Sequence, residues 1–343
     1  MNLTRRRFTQ GLATSAVLAG FPLQGDAGMA ETMADKARKL LAAFSEDQRG
    51  EALLAMDSEA RRDWHFFPRS RPGVPMGKMT DGQRTLLREL LALLFSTRGL
   101  DKVDGVIRLE KVLYDQSFFS FFRDPGNYAV VFFGTPSDSK AWAWRFEGHH
   151  LSVSATVVPG LGIAATPAFF GANPQTVAEP HAHAGLRVLK AEEDLAFQLV
   201  NGLSGAARKA AMLADHDLDD IVAGPGRELS LKRISGVPVG GMDAAGRGLV
   251  ENLLDAYVGN MSQDIARRET ARVREAGWDK LHLGWAGSTQ PGQPHYYRLH
   301  GPTVIIEYDN SRGGANHVHS VWHNPTNLFG EDMLKRHYAT GGH

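Results

Sequence analysis

The stretch from His295 to His323, HYYRLHGPTVIIEYDNSRGGANHVHSVWH, constrains this chain more than any other. Its residues alternate with period two, a strand signal, yet one of the faces so defined is too polar for an ordinary core. Thr303, Ile305, Glu307 and Asp309 share one strand face, and Val304, Ile306 and Tyr308 share the other. Asn310-Ser311-Arg312-Gly313-Gly314 is rich in turn formers; beyond it His317 and His319 share a face while Val318, Ser320 and Trp322 take the opposite one. With those five residues as the loop, Asp309 faces Ala315, Glu307 faces His317 and Ile305 faces His319. Two carboxylates and two imidazoles then converge. A loop one residue longer would turn the histidines away, so the constellation depends on register.

Elsewhere the period changes twice. Ala34 to Met56 has helical apolar spacing, Thr80-Asp81-Gly82-Gln83 is a capping box opening a helix over Arg84 to Thr97, and Asp104 to Tyr114 continues that layer. Trp64 to Gly73 is an aromatic and basic loop, read first as a tether holding the N-terminal helices on the sheet and second as a substrate-facing loop. Strands are predicted at Tyr128 to Phe133, Trp142 to Val158 and Leu161 to Ala168; helices return at Arg187 to Asn201, Gly205 to Ala214 and Ala244 to Arg274. Asp215 to Val239 holds no firm motif. Leu281 to Trp285 opens the final sheet region, and Asp332 to Tyr338 is a terminal helix that brings His337 back towards it. Blocks of helix and strand without strict alternation indicate an α+β fold: a largely antiparallel sheet with N-terminal and central helical layers, in a single composite domain.

The first 30 residues read as a twin-arginine signal peptide: Arg5-Arg6-Arg7-Phe8, an apolar run from Gly11 to Phe21, and small residues around Asp26 to Ala30. Residues 31–343 would be the mature domain, exported to the periplasm by the twin-arginine machinery and free of the membrane after cleavage. Without residues 1–30 the chain has 35 basic and 37 acidic side chains, which leaves no electrostatic footprint for nucleic acid. There is no cysteine, which excludes disulfides, iron–sulfur clusters held by cysteine, c-type haem attachment and blue-copper sites. A metal would have to rest on histidine and carboxylate, and the chain has 14 histidines.

The candidate metal ligands are His317 and His319, with His149 from Trp144-Arg145-Phe146-Glu147-Gly148-His149-His150. Neighbouring residues on a strand point to opposite faces, so only one of His149 and His150 can look into any one site. Glu307 and Asp309 are the catalytic candidates. Tyr296, Arg298, His150 and His337 are the candidates for holding a small polar or anionic substrate. Arg298 can grip a carboxylate or phosphate, or it can pair with Glu307 across the hairpin. His181-Ala182-His183 reads as a solvated loop.

These residues, together with Trp64, Pro68, Gly73, Gln83-Arg84, His295-Tyr296-Tyr297-Arg298, Gly301-Pro302, Phe329-Gly330 and His337-Tyr338, resemble a bacterial family of exported proteins catalogued as domain of unknown function 3500. The likeness runs over nearly the whole mature chain and implies no particular reaction. The functional expectation is therefore drawn from the residues: a metal-dependent hydrolase, with Zn²⁺ first and Fe or Cu as alternatives. A metal-free acid–base hydrolase, a metal-dependent oxidoreductase and a non-catalytic periplasmic binding protein are the competing readings.

Overall fold

The computed structural model describes residues 26–116, 123–339 and 341. Arg5 to Phe21, on which the export signal was read, lie outside the described residues. The first helix, α1, spans Asp26–Ala43, and Met29, Ala30 and Met33 are buried in it. Ser45 then breaks the chain before α2 (Glu46–Ala52): its hydroxyl accepts from Gln48 N–H while the Gln48 side chain accepts from Ser45 N–H. Thr80 and Gln83 form the predicted capping box at the head of α3 (Asp81–Leu94), and α4 follows over Thr97–Gln116.

The central helices are α5 (Lys190–Gly202), α6 (Gly205–Ala211), α7 (Ala244–Val258) and α8 (Gln263–Ala276). The single helix predicted over Ala244 to Arg274 is two, because the chain leaves the helix at Gly259. Gly259 O and Asn260 O there accept bonds from Ser96, and Ser262 N–H donates to Leu94 O. Helix α9 spans Glu331–Ala339. Among the described residues no helix is long and apolar enough to cross a membrane.

The strands are β1 (Leu53–Leu54), β2 (Val74–Pro75), β3 (Ala129–Phe133), β4 (Trp142–Gly148), β5 (Leu151–Val158), β6 (Gly162–Ala164), β7 (Ala168–Ala172), β8 (Met212–Ala214), β9 (Val237–Pro238), β10 (His282–Gly287), β11 (His295–Gly301), β12 (Val304–Arg312) and β13 (His317–His323). They form one sheet in the order β1-β3-β4-β5-β7-β13-β12-β11-β10-β8, with β2, β6 and β9 attached beside β3, β5 and β10. Only β1 with β3 and β8 with β10 run parallel among these pairs. The architecture is the predicted α+β domain with a largely antiparallel sheet.

The two faces of this sheet differ in kind. Trp144, Phe146, Val153, Phe170, Trp322, Ile306, Tyr297 and Trp285 belong to the large apolar core shared with the helices. The residues that alternate with them include Arg145, Glu147, Ser152, Ser154, Arg298, Glu307, Asp309 and His319, all buried. That second face is covered by irregular chain: Trp64, Phe66, Ile221 and Phe329 pack there on Phe169 and Val321. The loop from Trp64 to Gly73 is therefore a cover for the polar face of the sheet, and it is not a tether for the helices.

Candidate functional site

Pairing of β12 with β13 follows a different register from the expected one. Asp309 is opposite His319, Glu307 is opposite Val321 and Arg312 is opposite His317, with a bulge between Asp309 and Arg312. Strand β12 runs on through Asn310-Ser311-Arg312, and the turn is made by Gly313, Gly314 and Ala315, all at positive φ. Asn310 Oδ1 accepts from His317 N–H at 3.1 Å, and Asp309 accepts from Ser311 N–H and its hydroxyl, which fixes the bulge. The partner of Asp309 moves from Ala315 to His319, an even number of residues. His319 therefore stays on the face of Glu307 and Asp309.

The third imidazole comes from the β4–β5 hairpin. His150 sits in its turn at φ +60°, a conformation in which His is among the more tolerated non-glycine residues. Its N–H donates to Phe66 O at 3.1 Å and its carbonyl accepts from Gly171 N–H at 2.7 Å. Gly171 is opposite His319 in the β7–β13 pair, and a Cβ on it would lie 2.8 Å from His150 Cδ2. The bare glycine is what lets the ring lie on the sheet.

His150, His317 and His319 thus form a group whose ligand nitrogens all lie within 4.8 Å of one another. His150 Nε2 and His317 Nε2 are 2.9 Å apart. At most one of two facing nitrogens can carry a proton on that line, so at least one lone pair points inward. His319 Nδ1 is bonded to Asp220 Oδ1 at 2.7 Å, which turns its Nε2 lone pair away from the carboxylate; Arg312 holds Asp220 in turn at 2.9 Å. Phe66 and Phe169 flank the His319 ring at 4.5 and 5.8 Å. Burial, with lesser help from His149, His319 and His317, pushes His150 well below the ordinary imidazole range, and burial lowers His317 to about 3. Both are neutral at physiological pH, the state a metal ligand needs. Nitrogens bound to one Zn²⁺ at about 2.0–2.1 Å stand roughly 3.3 Å apart, so small side-chain rotations suffice to close the group on an ion. These three imidazoles could hold a metal.

The other expected site residues are placed as follows. His149 stacks on His150 at 3.8 Å between ring centres, but its Nδ1 bonds Glu110 Oε2 at 2.5 Å, and Arg123 Nη1 is 2.9 Å from both ring nitrogens. The expected ligand is thus bound to a carboxylate, and its neighbour, assigned to substrate, takes the position among the imidazoles. The turn breaks strand alternation, so the two rings lie side by side. Both oxygens of Glu307 are occupied, by Val222 N–H, Ala223 N–H and the Tyr296 hydroxyl at 2.6–2.7 Å. Burial raises its pKa above the usual carboxylate range. Glu307 and Tyr296 together clamp the segment after Asp220 to the sheet. Arg298, opposite Glu307, donates to Ser235 Oγ at 2.5 Å and is buried.

Asp309 shares the face of His319, and burial lifts its carboxyl to about 7. His337 lies on α9, which packs through Met333 and Leu334 on Val158 at the far end of β5. At about 3.3 Å per residue, that end is roughly 25 Å from His150. Among the residues not expected, Asp220 lies in the acidic run Asp215 to Asp220, where nothing in the sequence sets it apart from Asp215, Asp217 and Asp219. Glu110 had a readable signal, since it is a carboxylate on the buried stripe of α4 with Val103 and Val106.

Residues 26–331 match the family described as "Protein of unknown function (DUF3500)". The chain belongs to that family. No curated protein and no solved structure matches it. Within this DUF3500 domain the three imidazoles come from its middle and its last strand.

Proposed function

We propose that this DUF3500 protein is an exported metal-dependent hydrolase acting on a small polar substrate. The observation that carries the reading is the convergence of His150, His317 and His319, with His319 braced by Asp220. Three imidazole nitrogen donors leave a position open, as in catalytic zinc sites. Zn²⁺ held there would supply Lewis acidity and acidify water near neutral pH.

The chain's own residues supply the remaining parts. Asp309, opposite His319 and near 7, is suited to take a proton from water and return it to a leaving group, because a general base works best with a pKa close to the working pH. Phe66 and Phe169 keep bulk water from the His319 ring. His317 is only half-buried, so the group can be reached from its side.

The test is protein expressed with its own leader, recovered from the periplasmic fraction and measured by elemental analysis. About one zinc per chain is expected; His317→Ala with His319→Ala should lose it while circular dichroism keeps the native spectrum. Hydrolysis of a panel of esters and amides should vanish with chelator and return with Zn²⁺. Absence of metal in the wild type, or retention in the double variant, sinks the reading. Cytoplasmic retention sinks its export part, and copper or iron in place of zinc would replace hydrolysis with oxidation.

A further inference from the structure

We propose that the cavity beneath residues 69–73 binds a small zwitterion, an amino acid or short peptide, with its ammonium group on Glu110 and its carboxylate between Arg69 and Lys78. The cavity holds about 550 Å³, within the range of small-molecule sites. It stands apart from the imidazole group, touching it only through His149, whose ring stacks on His150.

The inner part of the lining is made of Glu110, Tyr128 and His149, each less than a tenth exposed. Glu110 spends Oε2 on His149 Nδ1, whereas Oε1 is buried and has no hydrogen-bond partner among the described residues. An unsatisfied carboxylate oxygen in a buried place calls for a donor, and the described residues supply none. Of the other acids of the lining, Glu51 is exposed, so water competes with any ammonium for it, and Asp124 accepts from Gly126 N–H at 2.7 Å.

The outer part has the opposite charge. The side chains of Arg69 and Lys78 are 37% and 61% exposed, and their partners Asp63 and Glu51 are exposed as well. Such pairs hold their cations weakly, so an arriving carboxylate can take them over. Arg71, which also lines the cavity, is committed to buried Glu147 at 3.0 Å and is not available. A buried acceptor inside and loosely held cations outside match a ligand with an ammonium at one end and a carboxylate at the other. The proposal does not rest on metal in the imidazole group.

The experiment is calorimetric titration of the full chain, as purified and after chelation, with L-alanyl-L-alanine. N-acetyl-L-alanine, which lacks the ammonium, and L-alaninamide, which lacks the carboxylate, are the controls. The dipeptide should bind saturably in both preparations, and each control should bind about tenfold more weakly or worse, the loss of one charge-assisted contact. Glu110→Gln should weaken the dipeptide by a similar factor and leave N-acetyl-L-alanine unchanged. Should that variant misfold, Lys78→Met on the surface must weaken the dipeptide without affecting L-alaninamide. No dipeptide binding, equal binding of N-acetyl-L-alanine, or indifference to both substitutions overturns the proposal. Binding that disappears on chelation would move the ligand to the imidazole group and overturn it too.

Discussion

At the scale of single residues, the imidazole group is decided by residues outside it. Asp220 fixes the tautomer of His319 through a 2.7 Å bond, and Gly171 gives His150 the space to lie beside it. Replacing Asp220 with Asn keeps an acceptor for His319 Nδ1–H and removes only the charge. Zinc affinity should fall about 10- to 100-fold, the usual effect of losing such a bracing carboxylate, with the fold intact. Competition against a chelator of known affinity measures it, and an unchanged affinity would show that Asp220 braces nothing. His317 and His319 were legible in the sequence because a strand repeats every second residue. Asp220 and Gly171 were not, since their role exists only after β7, β13 and an irregular segment have met. The exchange between His149 and His150 has the same origin: alternation holds on a strand, and these two residues form its turn.

Among elements, the polar face of the sheet is closed by irregular chain held at a few points. Glu307 on β12 is the firmest of these for the segment after Asp220, accepting two backbone N–H groups and one phenol. Glu307→Ala would leave three buried donors without an acceptor, and should destabilise the protein by about 3–5 kcal/mol in urea unfolding. Glu307→Gln retains an acceptor oxygen and should cost less than half of that. If both variants unfold with the wild type, the clamp is not a stabilising contact. The strands themselves were largely predictable from alternation, as was the face shared by Glu307, Asp309 and His319. The register was not, because Asn310, Ser311 and Arg312 look like turn residues and yet extend β12 through a bulge. The cover over Asp215 to Val239 was also invisible, since it has no period of its own and is shaped by what it covers.

For the molecule as a whole, a sheet with one polar buried face has a definite response to acid. Histidines that are buried and neutral when folded become protonated on unfolding. His323 is the clearest case: Nε2 donates to Ala223 O at 2.7 Å, Nδ1 has no hydrogen-bond partner among the described residues, and burial lowers its pKa to about 4. Its folded value lies below the unfolded one of about 6.5, so between pH 6.5 and 4 the unfolded chain binds the extra proton and stability falls as pH falls. His300, lowered to about 4, and His317, lowered to about 3, act in the same direction. Asp309, raised to about 7, opposes them, because the folded state holds its proton over the same window. His150, also lowered, adds to the histidines and Glu307, also raised, adds to Asp309, so four groups act against two and acidification leaves a net loss, at about 1.4 kcal/mol per pH unit for each uncompensated proton. His323→Gln can still donate to Ala223 O and cannot titrate. Urea unfolding of metal-free protein from pH 7 to pH 4 should therefore be shallower in this variant, by a total of about 3 kcal/mol. A variant whose stability follows the wild-type curve through that window would mean that His323 is not held neutral by the fold.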